Sequence, residues 1–283
     1  MNHAVIGFVL ASMALSGALL FSARGHAAPE EVVKYVRFRV GERVAYGIVE
    51  GDRVREISGD LFGDWAKTDT THALDDVTLL VPTVPSKVLA LAGNYRSHLG
   101  GAEAHGHPEA FFKVPSALLP TEESIVIPKG TDNVHYEAEM VIVIGKRAKG
   151  VAVADALGYV LGVTCGNDVS ARDWQHDDVQ WWRAKGSDTF GPCGPVIASG
   201  LNYDDLLLEL RLNGEVKQKQ RTSELVHGVA AIVSWISQHV TLEPGDLIYT
   251  GTPGTTTALK PGDVVEVELE GVGVLRNGVE AAR

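Results

Sequence analysis

The sequence predicts a mainly β protein with some α, in which a small N-terminal β-rich domain precedes a larger one. Three observations carry this. Short runs of Val, Ile and Leu recur between turn residues, with 31 glycines in 283 residues. Only one stretch sustains helical periodicity. Val81-Pro82-Thr83-Val84-Pro85-Ser86 is a proline-rich joint that marks a boundary, giving domains over residues 28–80 and 85–283.

The first residues are a different material. Ala4 to Phe21 carry no charge and are mostly apolar, no acid precedes Glu30, and small residues cluster at Gly25, Ala27 and Ala28. The pattern reads as a signal peptide over residues 1–27. It implies an exported, periplasmic protein without stable membrane association after cleavage. An N-terminal membrane anchor is the alternative, because the apolar run approaches the length of a span.

Val33 to Val40 alternates with period two, Gly41-Glu42 turns, Val44 to Val49 is a second strand, and Val54 to Ile57 follows Gly51-Asp52 as a third. Residues 58–80 are mixed and polar, with weak helix signals. Lys87 to Ala92 is an apolar strand leading into a glycine- and histidine-rich stretch to Pro108, which has no periodicity and suits a mobile lid. Met140 to Gly145, Leu161 to Cys165, Leu206 to Leu212, Leu247 to Thr250 and Val264 to Leu269 are further strands, and Asn213-Gly214 makes a hairpin turn. The helix lies between Ser223 and His239, where Leu225, Val229, Ile232, Val233 and Ile236 form one apolar stripe.

The net charge of −11 sets the surface against nucleic acid phosphates, so no nucleic-acid partner is expected. Cys165 and Cys193 form no metal knuckle and no disulfide framework; they read as small buried side chains.

Four segments carry chemistry. In His135-Tyr136-Glu137-Ala138-Glu139-Met140 the two glutamates project to one face of a strand, which is unfavourable unless a cation lies between them; the alternative is an edge strand facing solvent. Asp168 follows an apolar strand, either as a helix N-cap or as a third carboxylate ligand. Arg172 and Gln175, spaced i and i+3, would share a face beside it. Lys185, in Trp181-Trp182-Arg183-Ala184-Lys185-Gly186, is either a snorkelling surface residue or a cation of the site. Tyr249-Thr250-Gly251-Thr252-Pro253-Gly254 is a strand running into a turn, which can offer N–H groups to an anion or be only a turn.

Together these segments resemble the C-terminal catalytic domain of the fumarylacetoacetate hydrolase family. The matching pieces include Asn94-Tyr95-Arg96-Ser97-His98, Phe111-Phe112-Lys113, Glu137-Ala138-Glu139, Asn167-Asp168-Val169-Ser170, Lys185-Gly186-Ser187-Asp188, Asn213-Gly214-Glu215 and Thr250-Gly251-Thr252-Pro253. The resemblance implies a mixed β-sandwich roll, usually a homodimer, with Glu137, Glu139 and Asp168 holding Mg2+ or Mn2+. It implies that Arg172, Gln175 and Thr252 bind substrate and that His98 and Lys185 are catalytic. The all-oxygen ligand set suits a hard cation. The family pattern often places a glutamate three residues after the lid histidine; here Leu99, Gly100 and Gly101 follow His98, and the nearest acid is Glu103. The implied activity is hydrolysis of a C–C bond in a 2,4-dioxo acid through a metal-bound enolate, of the kind found in aromatic-compound catabolism. The alternatives are decarboxylation or isomerisation of a 2-oxo diacid such as oxaloacetate or 2-hydroxyhepta-2,4-diene-1,7-dioate, or non-catalytic binding of a 2-oxo acid.

Overall fold

Alternation at the N-terminus folds as an antiparallel meander of Val33–Val40, Arg43–Glu50 and Arg53–Gly59. The computed structural model describes Met1 and residues 31–283; the leader expected over residues 1–27 lies, apart from Met1, outside the described residues. Where the sequence carries weak helix signals, between 58 and 80, the structure has a fourth strand, Trp65–Ala73, paired to Arg53–Gly59. Its threonines favour the extended chain. Its polar character follows from its place at the sheet edge, where exposed charge discourages pairing with other chains.

The meander is not separate from the rest of the fold. Val33–Val40 also pairs with Gly191–Ser199, Val33 opposite Ser199, so the N-terminal strands extend a twelve-stranded sheet of the described residues. Beyond Gly191–Ser199 the order continues through Val160–Asn167, Ala138–Ile144, Leu247–Tyr249, Val88–Ala92 and Glu109–Lys113. A five-stranded sheet of Glu215–Arg221, Leu207–Leu212, Val264–Leu269, Gly273–Ala281 and Ser124–Ile127 forms the second layer. The architecture is the mixed β-sandwich expected.

The Ala138–Ile144 strand shows why its sequence is an unbroken apolar run. Met140, Ile142 and Ile144 enter the main core with Leu208, Leu210 and Val267 of the second sheet. Val141 and Val143 enter a second core on the opposite face, with Val88, Ala90, Leu247 and Tyr249. A strand buried on both faces has no reason to alternate.

The amphipathic helix is observed as Val229–His239, starting later than Ser223. Asn94 is the reason. Its Oδ1 accepts from the backbone N–H of His227 at 2.9 Å, its Nδ2 donates to His227 O at 3.1 Å, and its carbonyl accepts from Val226 N. These bonds hold Val226 and His227 out of the helix. Both cysteines are free and buried, on opposite faces of the large sheet. No helix of the described residues is long and apolar enough to cross a membrane.

Candidate active site

Two antiparallel strands bring the carboxylates together. Glu137 and Glu139 bracket the start of Ala138–Ile144, and Asp168 follows the end of Val160–Asn167, with Ala138 directly opposite Asn167. The ends are tied: Glu137 N donates to Asn167 Oδ1 at 2.8 Å, and Asp168 N donates to Glu137 O at 2.9 Å. Gly166 makes the crossing possible, since a Cβ there would lie 2.4 Å from Val141 and 2.6 Å from the Tyr249 ring. Glu137, Glu139 and Asp168 are 4%, 1% and 1% exposed, which removes the solvent-edge reading of the glutamates. Asp168 caps no helix; the helix Arg172–Asp177 begins after it, with Ala171 as its N-cap.

Five of the six carboxylate oxygens carry hydrogen bonds. Lys185 Nζ donates to Glu137 Oε2 at 2.5 Å and to Asp168 Oδ2 at 2.7 Å. Arg172 Nη2 donates to Glu137 Oε1 at 2.5 Å, and Lys113 Nζ to Asp168 Oδ1 at 2.7 Å. The Gly251 N–H donates to Glu139 Oε2 at 2.6 Å. Gly251 has φ +96° and backs onto Asn94, 2.9 Å from where a Cβ would stand, so no side chain fits while that amide faces the carboxylate. The sixth oxygen, Glu139 Oε1, is buried with no partner among the described residues.

The electrostatics separate the two glutamates. Burial pushes the Glu137 carboxyl up, but Lys185 and Arg172 outweigh it and hold the group down at about 2. Glu139 lacks such cations at bonding distance. Burial, then the neighbouring Asp168 and Glu137 charges, push it well above the usual carboxylate range. Burial lowers Lys185, yet Asp168 and Glu137 more than restore its positive charge. At 3% exposure it is no surface residue.

A cavity of about 150 Å³ opens beside the carboxylates, lined among others by His98, Phe111, Arg172, Gln175, Trp181 and Thr252. Arg172 and Gln175 lie together as their spacing implied, Nη1 donating to Oε1 at 2.8 Å. His98 Nδ1 donates to the carbonyl of Gly254 at 2.6 Å. That bond fixes the tautomer, because a carbonyl only accepts. The other nitrogen, Nε2, stands 3.9 Å from Glu137 Oε1. Glu103 is exposed, and a backbone carbonyl holds the ring where the family pattern often has a carboxylate. Seven of the eight residues expected at the site thus line one cavity, and the eighth, Asp168, is joined to it through Lys185.

These residues fit a hard divalent cation. Each of the three carboxylates can offer an oxygen within 4.8 Å of the others, and Glu139 Oε1 is a buried acceptor still lacking a donor. The fumarylacetoacetate (FAA) hydrolase C-terminal model matches residues 87–280. The chain belongs to the fumarylacetoacetate hydrolase family. Residues 33–82 match the Rv2993c-like N-terminal model.

Relatives within this family differ in reaction. Protein Rv2993c of Mycobacterium tuberculosis is 44% identical over 250 residues, 83% of this chain and 94% of that protein. The mitochondrial oxaloacetate tautomerase Fahd2a of Rattus norvegicus is 38% identical, over 72% of this chain and 69% of its own. Among solved structures, 5-carboxymethyl-2-hydroxymuconate delta-isomerase from Mycobacterium smegmatis superposes with a TM-score of 0.84 at 41% identity, covering 88% of this chain and all of that one. Maleylpyruvate hydrolase from Sphingobium sp. SYK-6, in complex with manganese(II) and pyruvate, superposes with a TM-score of 0.73 at 27% identity over the same shares.

The expectation of an exported, periplasmic protein is corrected by these relatives. The rat protein of the family is mitochondrial, and nothing in the comparisons supports export. An apolar, acid-free stretch ending in small residues is a compositional signal, and composition alone does not fix an address.

Two further residues of this family member contribute to the site. Lys113 stands out in the sequence only as part of a motif, yet its ammonium also donates to the carbonyls of Lys185 and Phe190. The signal was its spacing: in the strand Glu109–Lys113, Phe111 and Lys113 share a face, and Phe111 lines the cavity. Gln218 gave no signal, because it reaches the site from the second sheet.

Proposed function

We propose that this chain is a divalent-metal-dependent enzyme that moves a proton on the carbon beside the 2-oxo group of a small 2-oxo diacid, a tautomerase or isomerase. The observation that carries the reading is His98. Its ring is oriented by the Gly254 carbonyl, which leaves Nε2 as a proton acceptor at the cavity, 3.9 Å from Glu137 Oε1. An imidazole so placed can take a proton from an acidic C–H beside a carbonyl. The isomerase and tautomerase among the relatives are also nearer in sequence than the hydrolase.

Glu137, Glu139 and Asp168 would hold the ion, Mg2+ or Mn2+, one per subunit. Bound there, it would supply Lewis-acid polarisation of the 2-oxo group. Thr252 and Arg172 would hold the substrate carboxylate, with Gln175 keeping the guanidinium in place. His98 Nε2 takes the proton from the carbon next to the 2-oxo group. The electron pair moves into the new C=C bond, and charge collects on the 2-oxygen. Lys185, the nearby ammonium, stabilises that oxygen. Return of the proton to oxygen gives the enol, and to a more distant carbon of a conjugated substrate gives the isomer. Phe111 and Trp181 wall the cavity and limit water during the transfer.

Hydrolytic C–C cleavage of an acylpyruvate is the second reading, supported by the manganese-containing maleylpyruvate hydrolase. We extend the family expectation of a homodimer to this chain. The deciding experiment follows oxaloacetate in D2O by NMR with Mg2+ and with Mn2+. Metal-dependent deuterium uptake at the carbon beside the 2-oxo group is expected. Cleavage of acylpyruvates without such exchange would reject the reading in favour of hydrolysis.

A further inference from the structure

Gln218 sits on the strand Glu215–Arg221 of the second sheet, opposite Leu210, and is 4% exposed. Its carboxamide makes three bonds, all to other parts of the site. Oε1 accepts from the backbone N–H of Ala138 at 3.0 Å, between the two glutamates. Nε2 donates to Pro253 O at 2.5 Å and to Thr252 Oγ1 at 2.9 Å. The orientation of the amide is settled by its neighbours: a backbone N–H only donates and a backbone carbonyl only accepts.

This has a consequence for one hydrogen atom. A hydroxyl has a single hydrogen and two acceptor lone pairs. Because Gln218 donates to Thr252 Oγ1, the Thr252 hydrogen is not needed in that bond and is left for the cavity that Thr252 lines. From these bonds we infer that Gln218 is a positioning residue that sets the polarity of Thr252, turning its O–H outward as a donor for the substrate carboxylate. The inference rests on the 2-oxo acid reading above. It adds that recognition of the anion depends on a residue that does not touch it. The same carboxamide ties the carboxylate strand to the turn that carries Thr252, the Gly251 amide and the Gly254 carbonyl under His98.

Gln218→Glu isolates the effect. The new side chain has the same shape and still offers an oxygen to Ala138 N. Its other oxygen carries at most one hydrogen, which the Pro253 carbonyl claims. Ionised or protonated, it therefore draws the Thr252 hydrogen inward, and Thr252 then presents lone pairs to an anion. The probe is oxalate, a 2-oxo acid mimic, titrated by calorimetry into protein saturated with Mg2+. The expected loss in oxalate affinity is about tenfold, the size of one hydrogen bond to a charged group. Mg2+ affinity measured without oxalate is expected to stay at or above that of the wild type. Thr252→Val is expected to lose a similar factor, and the double variant no more than the worse single one, because both remove the same donor.

Wild-type oxalate affinity in Gln218→Glu overturns the inference, as do losses that multiply in the double variant. Equal loss of Mg2+ and oxalate binding with a lowered melting temperature also overturns it, marking Gln218 as only structural. Failure of the wild-type protein to bind oxalate with Mg2+ rejects the 2-oxo acid reading itself, and this inference with it.

Discussion

Lys185 Nζ stands 2.5 Å from Glu137 Oε2, with both groups shut away from solvent. Burial makes Lys185 matter to folding as well as to turnover. Lys185→Met is expected to lower kcat for proton transfer by about 10²-fold or more, the cost of one oxyanion contact. The metal-free variant also melts lower, since breaking a buried pair costs on the order of 3–5 kcal/mol. Added Mg2+ or Mn2+ recovers the melting temperature but not kcat. Unchanged kcat would remove Lys185 from the chemistry.

Ion binding is expected to need all three carboxylates. Calorimetric titration of Mg2+ and Mn2+ into Glu139→Ala and Asp168→Ala should show affinity lost in each. Asp168→Ala also frees Lys113 and Lys185 from a shared partner, so it should destabilise the protein more than Glu139→Ala, whose Oε1 has no partner to lose. Wild-type affinity in either variant would sink the ligand assignment.

His98→Ala is expected to slow deuterium exchange beside the 2-oxo group by about 10²- to 10⁴-fold, the range of general base catalysis. Ion affinity should stay unchanged, because His98 Nε2 is 3.9 Å from the nearest Glu137 oxygen. Exchange at the wild-type rate would make His98 a bystander.

Glu56 offers a test in the N-terminal sheet. The Arg43 fork, and then His72, hold its carboxyl below the usual range against partial burial. A lowered folded-state value means stability that is present above about pH 4.5 and is lost as pH falls through the folded value. Glu56→Gln should therefore melt lower than the wild type at pH 7, with the gap closing toward pH 3. Arg43 is half exposed, so salt should shrink the gap too. A gap independent of pH would exclude the ionic origin.

The readable part of this protein was the part with local pattern. Glu137 and Glu139 are two apart across the start of one strand, Arg172 and Gln175 three apart on one helix, and both spacings bring the side chains to one site. The site residues that escaped are those whose roles depend on pairing across the chain. Gln218 meets Ala138 across 80 positions and Thr252 across 34, and nothing in its own neighbourhood distinguishes it from the polar residues around it. The start of the helix at Val229 was misplaced for the same reason, since Asn94 holds the preceding residues from 133 positions away. The strand Trp65–Ala73 was hidden differently: an edge strand is polar by necessity and mimics a loop.

His107 lies flat on Trp235, ring centroids 4.7 Å apart and planes 15° from parallel, while His227 Nε2 donates to the carbonyl of His105. The stretch between His98 and Pro108, which shows no periodicity in the sequence, is thereby seated on the helix Val229–His239. The seat doubles as an optical gauge. Indole emission depends on what covers its face, so in a protein whose other four tryptophans are replaced by Phe, the colour and intensity of Trp235 would report whether this segment covers it, without any attached dye.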